Sequence, residues 1–232
     1  MNKSVYLSPS LQEHNIGAGQ YGTEEQRMNQ VADVAQRELL RHNVTVYRNK
    51  PTMTLTQAVA DSNSKNVDLH QAIHSNAGNG KARGCTVFCY EFGCRGEALA
   101  RNLYSELEPL TPTADRGVHE GKDYYGTGKN MYEVWQTVAP AALVEVAFHD
   151  NIDDANWIIT HIEILGIAIA KANLKTLGIT YCPVQDNSTQ QLIEAMTAKS
   201  WITSEDYWIK VLNGEIPPKP EYLKLLLSRA IK

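Results

Sequence analysis

The sequence predicts an α/β fold: a mostly parallel twisted sheet with helices on both faces, followed by a small all-helical C-terminal domain. Three observations lead there. Up to about residue 178, short β-branched runs alternate with segments of helical apolar period, the order that builds a parallel sheet. The run Ala141-Ala142-Leu143-Val144-Glu145-Val146-Ala147-Phe148 is apolar almost throughout, as a strand covered on both faces must be. After Cys182-Pro183 and Asp186-Asn187-Ser188 the strand patterns stop and only short helical stripes remain.

Each element has its local reason. Ser4 to Leu7 reads as a short buried strand, and Pro9, Gly17 and Gly19 keep the following loop irregular. Thr23 is placed to cap a helix, with Gln26 three residues on to complete a capping box. Met28, Val31, Ala32, Val34, Ala35, Leu39 and Leu40 then form a helical stripe to about His42. Val44 to Tyr47 is a second strand. Thr54 or Thr56 caps the helix marked by Leu55, Val59 and Ala60. Val67 to Ile73 and Gly84 to Tyr90 are further strands, and Leu99, Leu103 and Leu107 lie on one face of a helix. The Gly- and aromatic-rich stretch between Pro109 and Pro140 reads as a long loop, and long loops in folded domains tend to carry function. Ala141 to Phe148 is the last strand and Ile162 to Leu177 the closing helix.

The domain reading is therefore 1–179 for the α/β domain, 180–187 for a linker and 188–232 for three short helices. So small a tail has a marginal core and is expected to dock, to bind a surface or to self-associate into a homo-oligomer. Trp201, Tyr207, Trp208 and Tyr222 are read mainly as its core, with stacking on sugar rings as the competing role.

Charge and composition exclude some functions. A formal net charge of −4 argues against nucleic acid as a partner, which needs a basic face. No apolar run approaches the roughly 20 residues of a membrane span. Met1 to Ser8 has no apolar core of a secretory signal, so synthesis in a cytoplasm is expected. Cys85, Cys89, Cys94 and Cys182 form no CxxC pair and are read as reduced thiols.

Four polar groups fall where this fold would gather them. His74 stands where the strand Val67–Ile73 gives out into Asn76, Gly78, Asn79 and Gly80, and sites of open α/β sheets lie beyond the carboxyl ends of their strands. His14 lies in the loop after the first strand, and Glu25 in the first turn of the next helix. Glu145 sits inside the apolar strand, where a charge is costly unless paired or beside a metal; the bland alternative is a rim residue facing water. His, Glu and His are a familiar ligand set for zinc with a position open for water, and a nearby carboxylate that is not a ligand then moves the proton.

The set His14, Glu25-x-x-x-Asn29, Ile73-His74-Ser75-Asn76-Ala77 and Leu143-Val144-Glu145-Val146-Ala147-Phe148 resembles the zinc-dependent N-acetylmuramoyl-L-alanine amidases of the Amidase_3 type, over most of residues 1 to 178. The resemblance implies Zn2+ held by His14, Glu25 and His74, with Glu145 as the catalytic carboxylate. Glu24 competes with Glu25 for the helix-start position. The family's usual Pro-Gly-His-Gly-Gly is replaced here by Ser8-Pro9-Ser10, with His14 further on, and Phe148-His149-Asp150-Asn151 replaces Phe-Leu-Ser-Asn. His149 is read either as a group behind the site or as an exposed loop residue; His119, Glu120, Tyr124 and Tyr125 either line a groove or are ordinary loop polarity. His42, His70 and His161 are read as structural or surface residues.

What the resemblance implies in function is hydrolysis of the amide between the lactyl group of N-acetylmuramic acid and L-alanine, with peptidoglycan as substrate. The variant loop and short tail further suggest a phage or prophage endolysin of a Gram-positive, clostridial-like host, made in the host cytoplasm and acting at the wall after release; a host autolysin is the alternative setting. A zinc peptidase acting on stem peptides and a non-catalytic wall-binding protein are the competing functions.

Overall fold

The computed structural model describes residues 2–113, 116–183, 187–212 and 217–230. The chain divides into two units, Met1–Tyr181 and Cys182–Lys232, a break that falls inside the expected linker; residues 184–186 of that linker lie outside the described residues.

The first unit is built on one sheet in the order β2-β1-β3-β6-β4-β5. β1 (Ser4–Pro9), β2 (Thr45–Arg48), β3 (Leu69–Asn76) and β6 (Ala141–Phe148) are mutually parallel. β4 (Thr86–Cys89) runs antiparallel to β6 and carries the short β5 (Val118–Glu120) parallel to itself. The sheet is thus mostly parallel, as expected, with one antiparallel pair: β3 reaches β4 by a loop too short for the crossover that parallel strands require.

α1 (Glu24–Arg41), α3 (Glu97–Leu107), α5 (Ile152–Thr160) and α6 (Ile162–Thr176) cover one face. Their stripes close on Val5, Leu7, Ile73, Val87, Val144 and Val146, every one of them at most 1% exposed. α1 and α6 cross at Gly166, where a Cβ would stand 2.4 Å from Val34 Cβ, so only glycine allows the approach. Thr23 caps α1 as expected, its Oγ1 accepting from Gln26 N at 3.2 Å, but the return bond from the Gln26 side chain that would complete the capping box is not among the bonds of the described residues. The opposite face carries α2 (Leu55–Lys65), capped by Thr54 through a full capping box, and the short α4 (Tyr132–Gln136). There Ala72, Phe88, Met131, Val134 and Leu143 form a smaller core. The stretch read as one long loop thus contains β5 and α4; three- and five-residue elements are too short to leave a periodic signature.

The second unit consists of α7 (Asn187–Ala198), α8 (Glu205–Leu212) and α9 (Pro220–Ala230). Ile193, Met196, Ile202 and Trp208 are its buried core, with Trp201, Tyr207 and Leu226 packed on it. Tyr222 remains 42% exposed. Among the described residues no single helix is long and apolar enough to cross a membrane.

Candidate active site

Register puts the site on the sheet. His70, Ala72 and His74 of β3 stand beside Ala141, Leu143 and Glu145 of β6, so His74 and Glu145 are neighbours on the face that carries α4. His74 lies two residues before the end of β3 and Glu145 in the middle of β6, and the cleft above them, about 430 Å³, is lined by Ser8, Gln12, Thr54, Tyr125 and Glu133 as well.

His74 is clamped between two carboxylates. Its Nδ1 is 2.8 Å from Glu24 Oε1, and its Nε2 is 3.2 Å from Glu133 Oε2. The second oxygen of Glu24 accepts from Asn15 Nδ2 at 2.8 Å, and the second oxygen of Glu133 meets His70 Nε2 at 3.2 Å. His70 is in turn held by Ser62 Oγ at 2.8 Å and stacks on Tyr6. Burial alone would lower the His74 pKa, but the hydrogen bonds to Glu133 and Glu24 outweigh it and raise the pKa well above its ordinary value. Burial likewise pushes against ionised Glu24 and Glu133, yet bonds to His74, and for Glu133 to His70 also, hold both below the ordinary carboxylate range. The two carboxylates thus favour a charged His74 ring between them.

Glu145 is the opposite case. Its Oε2 is buried without a hydrogen-bond partner among the described residues. Burial pushes its pKa up to about 8, with the His74 charge opposing and the Glu24 charge adding. A carboxyl so placed exchanges its proton near neutrality, as a general acid or base must.

The expected ligands do not all come together. His74 is in place. Glu24, 1% exposed, occupies the position expected for Glu25, while the Glu25 side chain is not among the groups that meet His74. The reason is helical phase: Glu24 shares its face with the buried Met28, Val31 and Ala35, and Glu25 with Asn29. His14 is 93% exposed, its nearest charged partner being Glu13. The loop from Ser10 to Asn15 is pinned by Ser10 N to Ile73 O and by Asn15 to Glu24, which leaves His14 facing out. Among the described residues no three His, Cys, Asp or Glu side chains are placed to hold a metal ion. Glu24 and His74 are two donors of a zinc set; without His14 the residues as placed do not make up the three-donor centre that the resemblance implied.

Sequence reasoning missed Glu133, which hides in the unread α4. Its one signal was a charge inside the apolar run Met131-Tyr132-Glu133-Val134-Trp135. His70 is structural, as read, but through Glu133 it also supports His74. His149 is 3% exposed, hydrogen-bonded to Ser75 Oγ at 2.9 Å and stacked on Tyr21, whose hydroxyl meets the same Ser75 Oγ at 2.7 Å. That ties the loop before α1 to the strand bearing His74.

A histidine held between acids, beside a further carboxyl on the neighbouring strand of an α/β sheet, is an arrangement able to move protons in a cleft. Comparison narrows the class. The profile of the family Amidase_3, N-acetylmuramoyl-L-alanine amidase, matches residues 5–173, and the chain belongs to this family. The uncharacterized protein YqiI of Bacillus subtilis (strain 168) is 33% identical over 107 residues, 45% of this chain and 48% of that protein. The N-acetylmuramoyl-L-alanine amidase CwlM of Bacillus licheniformis is 27% identical over 176 residues, 73% of this chain and 66% of that protein. The chain thus spans 48% and 66% of the length of these two relatives. The catalytic domain of CwlV, an N-acetylmuramoyl-L-alanine amidase from Bacillus (Paenibacillus) polymyxa var. colistinus, superposes with a TM-score of 0.68 over 77% of this chain and 99% of that one. Its 18% identity makes that a likeness of fold.

Proposed function

We propose that the chain hydrolyses the amide between the lactyl group of N-acetylmuramic acid and the L-alanine of the peptidoglycan stem. One observation carries this beyond family membership: Glu145, with a buried oxygen that no described group satisfies, faces the same cleft as the His74 cluster. Glu145 takes a proton from the attacking water and returns it to the departing nitrogen, the two transfers that amide hydrolysis requires. The His74 charge, fixed on both sides, favours the negative oxygen that develops on the amide carbonyl. A zinc requirement belongs to the proposal as a quantity to be measured; Glu24 and His74 would be two of its donors, His74 only after giving up the ring proton that it shares with Glu24.

The setting we propose is endolysin-like lysis from the cytoplasm of a Gram-positive host, with the helical unit beyond residue 181 as its wall-binding or self-associating part. The aromatic side chains that this unit keeps near its surface support that role. Purified protein added to Gram-positive cells should clear them, and should clear them more slowly when truncated after Tyr181.

The deciding experiment is digestion of purified peptidoglycan, scoring free amino groups against reducing ends, with and without chelator. New L-alanine amino termini without reducing ends, lost in Glu145→Gln, support the amidase. New reducing ends identify a glycosidase, and free amino acids a peptidase.

A further inference from the structure

A second cavity, about 350 Å³, lies on the same face of the sheet, on the β4–β5 side of Glu145. It is lined by Asn76, Thr86, Phe88, Arg116, His119 and Tyr124. Thr86 is paired directly with Glu145 across the antiparallel β4–β6 ladder. Directly opposed residues have Cβ atoms about 5 Å apart, so this cavity begins roughly one amino-acid residue away from the catalytic carboxyl.

Its chemistry is one-sided. Thr86, only 5% exposed, has a hydroxyl with no hydrogen-bond partner among the described residues. Asn76 lines the cavity and accepts from Ala77 N through its Oδ1, and its amide nitrogen is committed to no hydrogen bond among the described residues. The Arg116 guanidinium lies 5.0 Å from the Phe148 ring centre and donates only a long 3.4 Å bond to Arg83 O. It makes no ion pair among the described residues. Among the described residues no carboxylate lines the cavity, while Phe88 and Tyr124 supply apolar walls. Donors of this kind without a resident acid match a carboxylate, for which the planar fork of arginine is the best partner.

We infer that this cavity is a specificity subsite for a free carboxylate on the stem-peptide residue that follows the scissile L-alanine, with Arg116 as its main determinant and Thr86 and Asn76 as supporting donors. The inference rests on the amidase reading and deepens it. It makes the enzyme sensitive to whether the wall carries that group as the acid or as the carboxamide. A carboxamide keeps one acceptor oxygen but carries no charge and turns hydrogens toward the second Arg116 donor, so the bidentate, charge-assisted pair is lost.

The test uses two muramyl tripeptides, N-acetylmuramoyl-L-alanyl-γ-D-glutamyl-L-lysine with the α-carboxyl of the second residue free or amidated. The full chain should cleave the free acid with a kcat/KM about tenfold higher, the scale of one charge-assisted pair. The difference should lie in KM. In Arg116→Gln the acid-to-amide ratio should fall toward one, and in Arg116→Lys a preference for the acid should persist. An equal kcat/KM for the two tripeptides in the native chain, or a proportional fall for both in Arg116→Gln, overturns the subsite while leaving the amidase reading intact. Cleavage of neither tripeptide by the native chain overturns the amidase reading, and the subsite with it.

Discussion

Glu133 Oε2 meets His74 Nε2 at 3.2 Å, and this bond fixes which nitrogen of the histidine faces Glu24. A histidine with one nitrogen held by a buried carboxylate has its ring orientation set and its other nitrogen directed to the site. The same carboxylate holds His70, so one side chain organises two rings. Glu133→Ala should lower activity about 10- to 100-fold, the usual cost of removing such a partner. Glu133→Gln, which keeps the shape and one acceptor, should recover part of the loss. The fold responds as well. Because the Glu133 pKa is depressed in the folded state, its stabilisation is present above the ordinary carboxylate value of 4.5 and is lost as pH falls below it. Thermal melts between pH 3 and pH 7 should show the native chain losing its advantage over Glu133→Gln on the acid side. Equal melting differences at all pH values would contradict the ion-pair assignment.

Glu24 and Glu25 are adjacent in sequence and opposite in consequence. Glu24→Gln should remove most activity, and most of whatever zinc the native chain takes up on loading, because it contacts His74. Glu25→Gln and His14→Ala should leave both within about twofold, since neither side chain meets the cluster and exposed substitutions are usually near neutral. Metal content by mass spectrometry after zinc loading, read beside activity, checks this. A His14→Ala variant stripped of zinc would show that the Ser10–Asn15 loop rearranges to bring His14 to the metal.

Much of this arrangement is legible in the chain. His74 and Glu145 stand out because each interrupts a pattern that strands otherwise keep. Glu25 is favoured over Glu24 only when Met28-Asn29 is aligned with the family's motif; the periodicity itself puts Glu24 in line with Met28, Val31 and Ala35. His14 has no rival between the first strand and the helix, yet no pattern in the sequence holds it in place. Glu133 cannot be read locally: its helix has five residues, less than two turns, and its partners His70 and His74 are about sixty residues away. Local sequence records burial and phase, whereas pairings across the sheet appear only when the chain is folded.

The α1–α6 crossing predicts a stability effect without a functional one. Gly166→Ala would place a methyl 2.4 Å from Val34 Cβ and 2.7 Å from Val31 O. The backbone oxygen cannot yield as a side chain can, so the helices must separate. Overpacking of this kind costs about 1–3 kcal/mol. Denaturant melts should show a lower midpoint with an unchanged slope. Pairing with Val34→Ala should restore part of the loss.

Glu145→Gln should separate activity from stability. The substitution removes the group placed to exchange a proton with the amide, and activity should fall by at least about 100-fold. Stability should move the other way. The Glu145 carboxyl titrates at about 8 in the folded chain against an ordinary 4.5, so unfolding releases its proton across that interval. The native chain therefore loses stability as pH rises from 4.5 toward 8, and the loss is complete above that. Glutamine does not titrate and escapes the loss. Each pH step of one across that interval costs the native chain about 1.4 kcal/mol, and each kcal/mol moves the Tm of a domain this size by about 2–4 °C. With chelator present, the variant should match the native chain at pH 4.5 and melt about 10 °C or more higher at pH 8. A variant less stable at pH 8 would mean that Glu145 is paired when folded, and its role as the proton-exchanging group would have to be given up.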